Sequence, residues 1–459
     1  SITGGSMMPG DRSKDKDRGE LYARLLETSP EVLHKALEEL HPSDLARIFP
    51  LLSLAQRLKI LRIIEPEEAA QVIYDLDRHM VVPLFEGLGR QRTAKILEAM
   101  PDDDAADLLG ELPWKDKERL LGIIAAADAR DIRMLLAYGA ETAGGLMTTE
   151  YAAVKKDLTV QEAISVLRST ASEAEIIYYV YVVNESNQLT GVFSLRDLIT
   201  AEPGQPIEEI MQTRVISVNV RTDQEEVARL VAKYDFLAIP VVNDDRELLG
   251  IITVDDILDV IEEEATEDLM RLSGNIDLEG EEKEVRTWKR AARRLPWLVG
   301  LLFGGLLAGN VINLYSGTLE TLTVLALFIH ILAGGPGNAA TQSLAVVVRG
   351  LATGELGHGD VLRVIWRETR VGVLIGLVSG ALMAVTAYIW QGSPLLGLVV
   401  GLSLALSMII ATLLGSLIPV LIHRLGIDPA LASGPFITTL MDITSMAIYF
   451  SLATGIILG

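Results

Sequence analysis

The chain has 459 residues, with 40 Lys and Arg against 62 Asp and Glu, and it has no cysteine. This length predicts several domains, and the missing cysteine excludes disulfides, thiolate metal sites and cysteine nucleophiles. Residues before Val285 carry 30 basic and 56 acidic side chains, whereas the rest carry ten and six. The acidic part would repel nucleic-acid phosphates and suits cations, so we expect no nucleic-acid partner.

The N-terminal residues look like a remnant of expression cloning. Ser1–Ser6 precede Met7 and Met8, so we assign residues 1–8 to no domain and expect native sequence to start at one of the two methionines. No secretory signal precedes the acidic region, and we therefore expect that region to stay in the cytoplasm.

Residues 20–140 have the apolar spacing of an all-α domain. Apolar side chains recur three and four residues apart, as at Leu21, Leu25 and Leu26. Short breaks that combine Pro with acidic residues recur along the segment, and this combination is typical of helix starts. The pattern predicts a superhelical stack of short helix pairs. The run Asp102–Asp104 most simply caps a helix, and cation binding at a domain contact is the alternative.

Residues 141–264 contain an internal repeat. Three pairs of identical residues are each 59 positions apart: Asn184 and Asn243, Gly191 and Gly250, and Asp197 and Asp256. Each copy has the pattern of a strand, a polar turn, a second strand and a helix that Ser/Thr-x-x-Asp opens. The repeat predicts two α/β modules of the same fold.

These modules resemble a tandem pair of CBS domains, because both copies end in Gly-x-x-Ser/Thr-x-x-Asp. CBS pairs often bind an adenine nucleotide between the repeats, with a hydroxyl and an Asp on the ribose and an aromatic ring on the base. The resemblance therefore implies ATP as a ligand. The candidate residues are Tyr179, Ser194, Arg196, Asp197 and Phe236. The alternative is that Ser194 and Thr253 only cap helices.

An acidic segment, Asp255–Asp268, follows the second repeat. On a helix, Asp256, Asp259 and Glu263 share one face. Packing such a face against another acidic surface costs about 4 kcal/mol per like-charge pair at about 4 Å, so it would need a counter-cation. Oxygen ligands without Cys favour Mg²⁺ or Ca²⁺. A face that is simply solvated is the alternative.

Five apolar stretches in residues 291–459 approach or exceed the roughly 20 residues that a spanning helix needs. They are Leu295–Asn313, Leu319–Gly335, Val371–Trp390, Leu395–Ile422 and Pro429–Leu458. Lys and Arg precede the first stretch and lie between the second and third and between the fourth and fifth. The positive-inside rule then predicts a multi-pass membrane protein, in contact with lipid, with a cytoplasmic N-terminus and an external C-terminus.

Asp442 stands alone in the fifth stretch. A carboxylate at membrane depth costs about 3 kcal/mol by insertion scales, so such a residue usually faces a water-filled path or a cation. The alternative is an Asp that only forms hydrogen bonds with neighbouring helices. We favour the ion path.

The order of these parts resembles the MgtE family of magnesium channels, over essentially the whole chain after Met8. The most specific matches are Ala143–Met147, Thr222–Arg229, Glu264–Asp268 and Asp442. The resemblance implies a multi-domain membrane protein with a superhelical N-terminal domain, a CBS pair, a connecting or plug helix over residues 265–290 and a pore domain of five helices.

In this family a homodimer forms one pore on its axis, and Mg²⁺ binds there through its water shell. By position, the resemblance implies pore residues Asp442, Glu320 and Asn338. Cytoplasmic Mg²⁺ closes the family's pore by binding between the N-terminal domain, the CBS pair and the plug helix. The implied regulatory ligands are Asp103, Asp107, Gly145, Asp223, Glu225, Ala232, Asp235, Asp256, Asp259, Glu264, Glu267 and Asp268, with Gly145 and Ala232 acting through their carbonyls.

The pore region departs from the family pattern at several positions. The second Gly-Asn of its Gly-Gly-Asn-x-Gly-Asn-Gln-Ser run is Ala340-Thr341 here, a Pro upstream is His330, and an Asn before Pro435 is Gly434. These changes leave the preference among divalent ions open. His330 is either a second titratable pore group or a packing residue.

Three functions remain in competition. The first is a Mg²⁺-selective channel that intracellular Mg²⁺ closes. The second is a broader pathway for Mn²⁺, Co²⁺ or Ca²⁺, or an ion-coupled transporter. The third is a membrane-anchored sensor whose CBS pair reports nucleotide levels, although a sensor needs only one anchor. An enzyme is not expected, since no Walker loop, nucleophile arrangement or His-based metal motif occurs.

Overall fold

The computed structural model describes residues 37, 40–170, 174–274, 287–352, 356 and 361–458. The chain forms two compact units, Ser1–Ile261 and Glu262–Gly459. The presumed cloning remnant at residues 1–8 and the start of the helical domain before residue 37 lie outside the described residues, as do residues 275–286 of the predicted plug helix.

The first part of unit one is a helical array, as predicted. Its helices are α1 (Pro42–Ile48), α2 (Leu54–Ile63), α3 (Pro66–Tyr74), α4 (Arg78–Leu88), α5 (Arg90–Leu97), α6 (Asp102–Gly110), α7 (Trp114–Leu121) and α8 (Ala126–Leu135), with a 3₁₀ turn at Phe49–Leu51. Proline is the first residue of α1 and α3, where its missing N–H costs nothing. Helices pack on the next helix but one, as α1 on α3 and α2 on α4, around buried residues such as Phe49 and Ile73.

The predicted repeat forms two matching three-stranded sheets. The first module contains α9 (Ala143–Leu146), β1 (Tyr151–Lys155), α10 (Val160–Thr170), β2 (Ile176–Val183), β3 (Leu189–Ser194), α11 (Leu195–Thr200) and α12 (Ile207–Ile210). The second contains β4 (Val218–Asn219), α13 (Gln224–Tyr234), β5 (Ala238–Val242), β6 (Leu248–Thr253) and α14 (Val254–Leu272). In each sheet the first pair of strands is parallel and the second antiparallel.

The two modules have the same strand register and exchange their leading segments. Val180 faces Phe193 in one sheet as Ile239 faces Ile252 in the other, and both pairs obey the 59-residue offset. Thr148 pairs with Ile251 of the second module, whereas Gln212 pairs with Val192 of the first.

The repeated glycines permit this exchange. A Cβ at Gly191 would lie 2.5 Å from the Met211 sulfur, and one at Gly250 would lie 2.4 Å from the Thr148 carbonyl oxygen. The Gly of each motif is therefore required by close packing between the two modules.

Helix α14 carries the acidic segment and continues beyond the second CBS module. Ile257 and Val260 are its buried residues, while Asp259 is exposed. The helix runs without interruption across residues 264 and 265, where the sequence pattern placed the boundary between the CBS pair and the plug helix.

The described residues of unit two contain five helices that are long and apolar enough to cross a membrane. They are Arg294–Leu314, Thr323–Leu351, Val361–Gln391, Pro394–Arg424 and Gly434–Leu458. The elements are α15 (Thr287–Leu314), α16 (Ser316–Thr321), a 3₁₀ turn (Thr323–Phe328), α17 (Ile329–Ala352), α18 (Val361–Gln391), α19 (Pro394–Arg424), a 3₁₀ turn (Pro429–Leu431), α20 (Gly434–Ala453) and a π turn (Thr454–Leu458).

The predicted limits of the second span are wrong. The apolar pattern places it at Leu319–Gly335, so that it ends within the run Gly334-Gly335-Pro336-Gly337. In the structure this run lies inside α17, and the preceding residues form α16 and a 3₁₀ turn instead. Proline is tolerated inside membrane helices because neighbouring groups satisfy the backbone that it frees.

Helices α18 and α19 pack closely through glycines at four-residue spacing. A Cβ at Gly376 would lie 2.7 Å from the Ala405 carbonyl oxygen, and a Cβ at Gly380 would lie 2.6 Å from the Gly401 carbonyl oxygen. Such small residues let two membrane helices approach along their backbones. The buried face of α18, which includes Glu368 and Gly372, is therefore fixed against its neighbours.

Candidate functional site

Three carboxylates from distant parts of the sequence meet in unit one. Asp103 lies in the first turn of α6, Glu175 lies just before β2, and Asp256 lies in the first turn of α14. One carboxylate oxygen from each residue lies within 4.8 Å of the other two. We call these three residues the acidic cluster.

The acidic cluster is partly buried and short of hydrogen-bond donors. Asp103 is only 5% exposed, and its Oδ1, like Oε2 of Glu175, is buried without a hydrogen-bond partner among the described residues. Thr253 Oγ1 is 2.7 Å from Asp256 Oδ2 and 3.3 Å from Glu175 Oε1. One hydroxyl proton cannot neutralise three carboxylates, so the cluster needs a positive charge or bound protons.

Burial and mutual repulsion raise the pKa values throughout the cluster. Burial, then Asp256 and Glu175, raise the pKa of Asp103 well above its usual range. Burial, then Asp256, raises the pKa of Glu175 to about 7. Burial raises the pKa of Asp256 to about 6 although Thr253 opposes the shift, and burial with Asp256 raises that of Asp104 to about 7.

A small hard cation fits the chemistry of this donor set. At 4.8 Å and an effective dielectric near 20, each ionised pair repels by about 3.5 kcal/mol, so three pairs repel by about 10 kcal/mol. That is comparable with the whole stability of a domain. A divalent cation removes this repulsion and takes oxygen ligands, as Mg²⁺ and Ca²⁺ do.

The structure places the other array candidates beside this cluster. Asp104 and Asp107 lie on α6, close to Asp256. The charges of all three carboxylates raise the pKa of the same residue, Tyr74. The run Asp102–Asp104 occupies the first turn of α6, where acidic residues favour the helix dipole. Capping is not its whole role, since Asp102 accepts a hydrogen bond from Thr149 Oγ1 and Asp103 joins the cluster.

The candidates on α13 fall into two groups. Asp223 precedes the helix and accepts a hydrogen bond from the Glu225 amide at 3.0 Å. Ala232 and Asp235 stand at the other end, where Asp235 has a left-handed backbone with φ of 53°. Residues at opposite ends of an 11-residue helix lie roughly 15 Å apart, so within one chain they cannot share one ion.

Gly145 is required by backbone packing. A Cβ there would lie 2.4 Å from the Gly139 carbonyl oxygen. The amide of Gly144 also donates to the Val220 carbonyl at 2.8 Å, which ties this segment to the second module. The role of the Gly145 carbonyl as a cation ligand stays a prediction.

A second group of charges lies in unit two. Arg271 forms ion pairs with Glu267 and Asp428, and Asp428 also accepts a hydrogen bond from the Ala430 amide at 2.8 Å. Burial, then Asp428 and Glu264, raise the pKa of Asp268 to about 6. The candidates Glu264, Glu267 and Asp268 are thus gathered around Asp428.

Sequence reasoning missed Glu175 and Asp428. Glu175 lies between a helix and a strand, in a segment with no charge pattern, and Asp428 lies in a turn between two apolar stretches. The tertiary fold alone brings them to the predicted residues. The one available signal for Asp428 is an Asp-Pro turn close to a membrane segment.

The nucleotide candidates do not all come together. Ser194 and Asp197 form a reciprocal capping box, with Ser194 Oγ 2.7 Å from Asp197 Oδ2, and this bonding lowers the pKa of Asp197. Tyr179 faces Ser194 across the β2–β3 ladder, and Arg196 is exposed on α11. Phe236 packs in a different core, stacked on Tyr234 with ring centroids 5.4 Å apart.

The pore candidates lie on α16, α17 and α20. Asp442 is half-buried on α20, next to the fully buried Met441, whereas Asn338 on α17 and Glu320 on α16 are exposed. A Cβ at Gly337 would lie 3.2 Å from Thr438 Cγ2, so α17 and α20 are in contact one turn from Asp442. Met441 also packs in one core with Ala339 and Ala340, which places Asn338 and Asp442 at neighbouring levels.

Known protein-family profiles match the helical array, the CBS pair and most of the membrane part of this chain. The profile of the MgtE divalent cation transporter matches residues 329–452, that of the MgtE intracellular N domain matches residues 40–141, and the CBS profile matches residues 143–204 and 207–263. The magnesium transporter MgtE of Bacillus subtilis is 42% identical over 92% of this chain and 93% of its own length. That of Thermus thermophilus is 40% identical over 94% and 97%.

The chain belongs to the MgtE family. Among solved structures, the cytosolic domain of the Mg²⁺ channel MgtE in complex with ATP has a TM-score of 0.50 and 41% identity, over 52% of this chain and 98% of that one. The soluble part of a magnesium transporter has a TM-score of 0.51 and 37% identity, over 55% and 99%.

The departures from the MgtE pattern are neighbours in space. A Cβ at Gly434 would lie 3.3 Å from Thr341 Cγ2 and 3.4 Å from the Leu272 carbonyl oxygen. Ala340 is fully buried, and its carbonyl lies where a Cβ at Gly415 would be 2.3 Å away. Ala340 is therefore a packing residue, and Thr341 and Gly434 are in contact. His330 is exposed on α17.

A second carboxylate of unit two was not singled out by the sequence. Glu368 on α18 is 9% exposed, and Ser343 Oγ, from the surviving end of the MgtE motif, donates to its Oε2 at 3.0 Å. This bond gives the motif serine a structural partner.

The pKa shifts predict a pH-dependent affinity for Mg²⁺. The carboxyl pKa values are raised on folding, so the packed cluster binds protons between about pH 4.5 and 7, and without a cation its stability falls as pH rises through that window. A cation must displace these protons. Mg²⁺ affinity should thus rise about tenfold from about pH 6 to about pH 8, because a group of pKa about 7 is about one-tenth ionised at the lower pH.

Thermal unfolding of the full-length protein in a Mg²⁺ titration measures this affinity. Glu175→Gln should weaken the pH dependence, whereas Glu185→Gln, an exposed turn residue of the same module, should leave it unchanged. An Mg²⁺ affinity that is the same at both pH values would contradict this reading of the cluster.

Proposed function

We propose that the protein is a Mg²⁺-selective channel for Mg²⁺ uptake, and that it works as a homodimer with its pore on the dimer axis. The observation that carries the proposal is Asp442, a half-buried carboxylate on the fifth spanning helix with no hydrogen bond to the described residues. Related proteins of the family are named magnesium transporters. The chemistry needed is binding and release of an ion, so no catalytic residue is invoked.

A second copy of Asp442 across a two-fold axis supplies a second carboxylate, facing the first. Two facing carboxylates attract a divalent cation and can bind it through its water shell, which Mg²⁺ gives up reluctantly. Asn338, exposed at a neighbouring level of α17, adds an amide oxygen to the path. Glu320, exposed on α16, is placed to attract cations before they enter.

The orientation proposed from the sequence is supported by the basic residues at the ends of the spanning helices. Arg363, Arg367 and Arg370 lie at the start of α18, and Arg424 ends α19. If both ends face the cytoplasm of a bacterium, the positive-inside rule is satisfied and the acidic N-terminal half lies on the same side.

Intracellular Mg²⁺ closes the channel through the acidic cluster. When the ion binds, Asp103, Glu175 and Asp256 can stay ionised and packed together, and α14 is held by Asp256 at its first turn. The same helix continues into unit two as far as Leu272. When Mg²⁺ is scarce, repulsion favours separation of these elements and α14 is released. A ligand that prefers the packed state shifts the population toward it.

The other candidate ligands extend this regulation. Glu264, Glu267 and Asp268, with Asp428, provide a second acidic group at the C-terminal end of α14. Asp223, Ala232 and Asp235 at the ends of α13 and Asp259 on α14 are exposed, and we infer that oxygen atoms from another chain complete cation sites there. The homodimer supplies such a chain.

ATP is proposed as a ligand of the CBS pair. The relative whose cytosolic domain was solved with ATP is 41% identical and covers this region. Ser194 and Asp197 offer the hydroxyl and carboxylate for a ribose, with Tyr179 beside them and Arg196 for the phosphates. Phe236 packs in a separate core and would have to move to contact the base.

Two alternatives predict different measurements. A broader pathway would carry Mn²⁺, Co²⁺ or Ca²⁺ as readily as Mg²⁺, or would need a proton or sodium gradient. A nucleotide sensor would show no ion flux at all. Five candidate spans and an intramembrane Asp favour a transport path over an anchored sensor.

The pore proposal predicts that Asp442→Asn abolishes Mg²⁺ uptake, because two neutral amides do not supply the negative charge that attracts and holds a hydrated divalent cation. Uptake is measured in cells that lack their own magnesium transporters. Thr444→Ala is the matched control on α20, since Thr444 Oγ1 bonds only back to the Leu440 carbonyl at 2.9 Å. Full uptake by a folded Asp442→Asn protein would refute the assignment.

The gating proposal predicts that Glu175→Gln raises the cytoplasmic Mg²⁺ concentration for half-closure about tenfold. The variant removes one formal negative charge from the cluster and so weakens cation binding to the closed state. A tenfold weaker affinity corresponds to a loss of roughly 1.4 kcal/mol of binding free energy. Patch recording with a stepped Mg²⁺ concentration measures the midpoint. Glu185→Gln should leave that midpoint unchanged, and an unchanged midpoint in Glu175→Gln would count against the cluster.

A further inference from the structure

Three arginines and a tryptophan line an open groove at the start of α18. The groove has a volume of about 630 Å³ and is lined by Arg363, Trp366, Arg367, Arg370 and Val371. The arginines follow one another at intervals of four and three residues and therefore share one face of the helix. All three are exposed, and the Trp366 side chain is 58% exposed.

We propose that this groove binds the headgroup of an anionic phospholipid. Guanidinium groups bind phosphate oxygens with two parallel hydrogen bonds, which makes Arg suited to a phosphodiester. An indole ring beside them is typical of the headgroup level of a membrane, where its apolar body and polar N–H are both satisfied.

The length of α18 places the groove at that level. The 21 residues 371–391 span about 31 Å, which matches the roughly 30 Å of the hydrocarbon core. Arg370 then stands at the edge of the core, and Arg363 lies about 10 Å further out. This interval covers a headgroup layer of roughly 5 to 8 Å on one side.

The charge of the groove is not cancelled by the acid that stands among the arginines in the sequence. Glu368 lies on the opposite, buried face of α18 and is hydrogen-bonded by Ser343 Oγ at 3.0 Å. The outward face therefore presents guanidinium groups and an indole to the lipid, while the buried face holds the carboxylate. The positive-inside rule requires only that basic residues lie near the cytoplasmic ends of spanning helices. It requires neither this separation of acid from arginines nor a shared groove.

The site is independent of which ion the protein carries. It depends on α18 crossing the membrane and on the chemistry of the outward face alone. A loss of lipid binding with normal Mg²⁺ uptake, or the reverse, would separate this inference from the proposed channel.

Native mass spectrometry of the full-length protein in detergent tests the proposal, with phosphatidylglycerol as the probe and phosphatidylcholine as the neutral comparison. The double substitution Arg367→Gln/Arg370→Gln should weaken phosphatidylglycerol binding about 25-fold, since each basic residue near an anionic surface contributes about fivefold. Phosphatidylcholine binding should not change.

Arg424→Gln is the matched control, because Arg424 is also exposed at the end of a spanning helix but lies outside the groove. Equal weakening by this control, or less than a twofold effect of the double substitution, would overturn the proposal. Displacement of phosphatidylglycerol by millimolar inorganic phosphate would assign the groove to free phosphate and would overturn it too.

A second variant guards against misfolding of the first. Arg367→Lys/Arg370→Lys keeps the charge but loses the planar fork of donors, and we expect a several-fold weaker affinity with an unchanged elution profile in size-exclusion chromatography. An affinity equal to that of the unmodified protein would contradict a guanidinium site.

Discussion

Repulsion between carboxylates that are partly or fully buried is the constraint on which unit one depends. Asp103, Glu175 and Asp256 come from the helical array, the first CBS module and α14, and they converge within 4.8 Å. About 10 kcal/mol of repulsion among three ionised groups would cancel the stability of an ordinary domain. The packed arrangement is therefore stable only with bound protons or a cation in place.

The two CBS modules show how a duplicated motif acquires a second role. In the first module Ser194 and Asp197 form a capping box that is complete in itself. At the equivalent positions Thr253 and Asp256 keep the same short bond, but Thr253 also reaches Glu175, and Asp256 faces the array. The same Ser/Thr-x-x-Asp motif thus caps a helix in one copy and contributes a carboxylate to the acidic cluster in the other.

Much of the fold could be predicted from periodicity and repeats, because the helical array, the 59-residue repeat and the five apolar stretches each follow from local patterns. The failures arose where tertiary contacts decide. Gly334–Gly337 resembles a helix stop in sequence, yet membrane packing keeps it inside α17. Glu175 has no local signal and Asp428 has only an Asp-Pro turn, so the importance of both depends on the residues that the fold brings to them.

The central claim is that Mg²⁺ holds α6, the segment before β2 and the start of α14 together. Hydrogen–deuterium exchange of the full-length protein, with and without millimolar Mg²⁺ at about pH 8, tests it directly. The account predicts slower exchange with Mg²⁺ at Asp102–Gly110 and at the start of α14, and no change in the β2–β3 ladder. Equal exchange with and without Mg²⁺ at both Asp102–Gly110 and the start of α14 would contradict it.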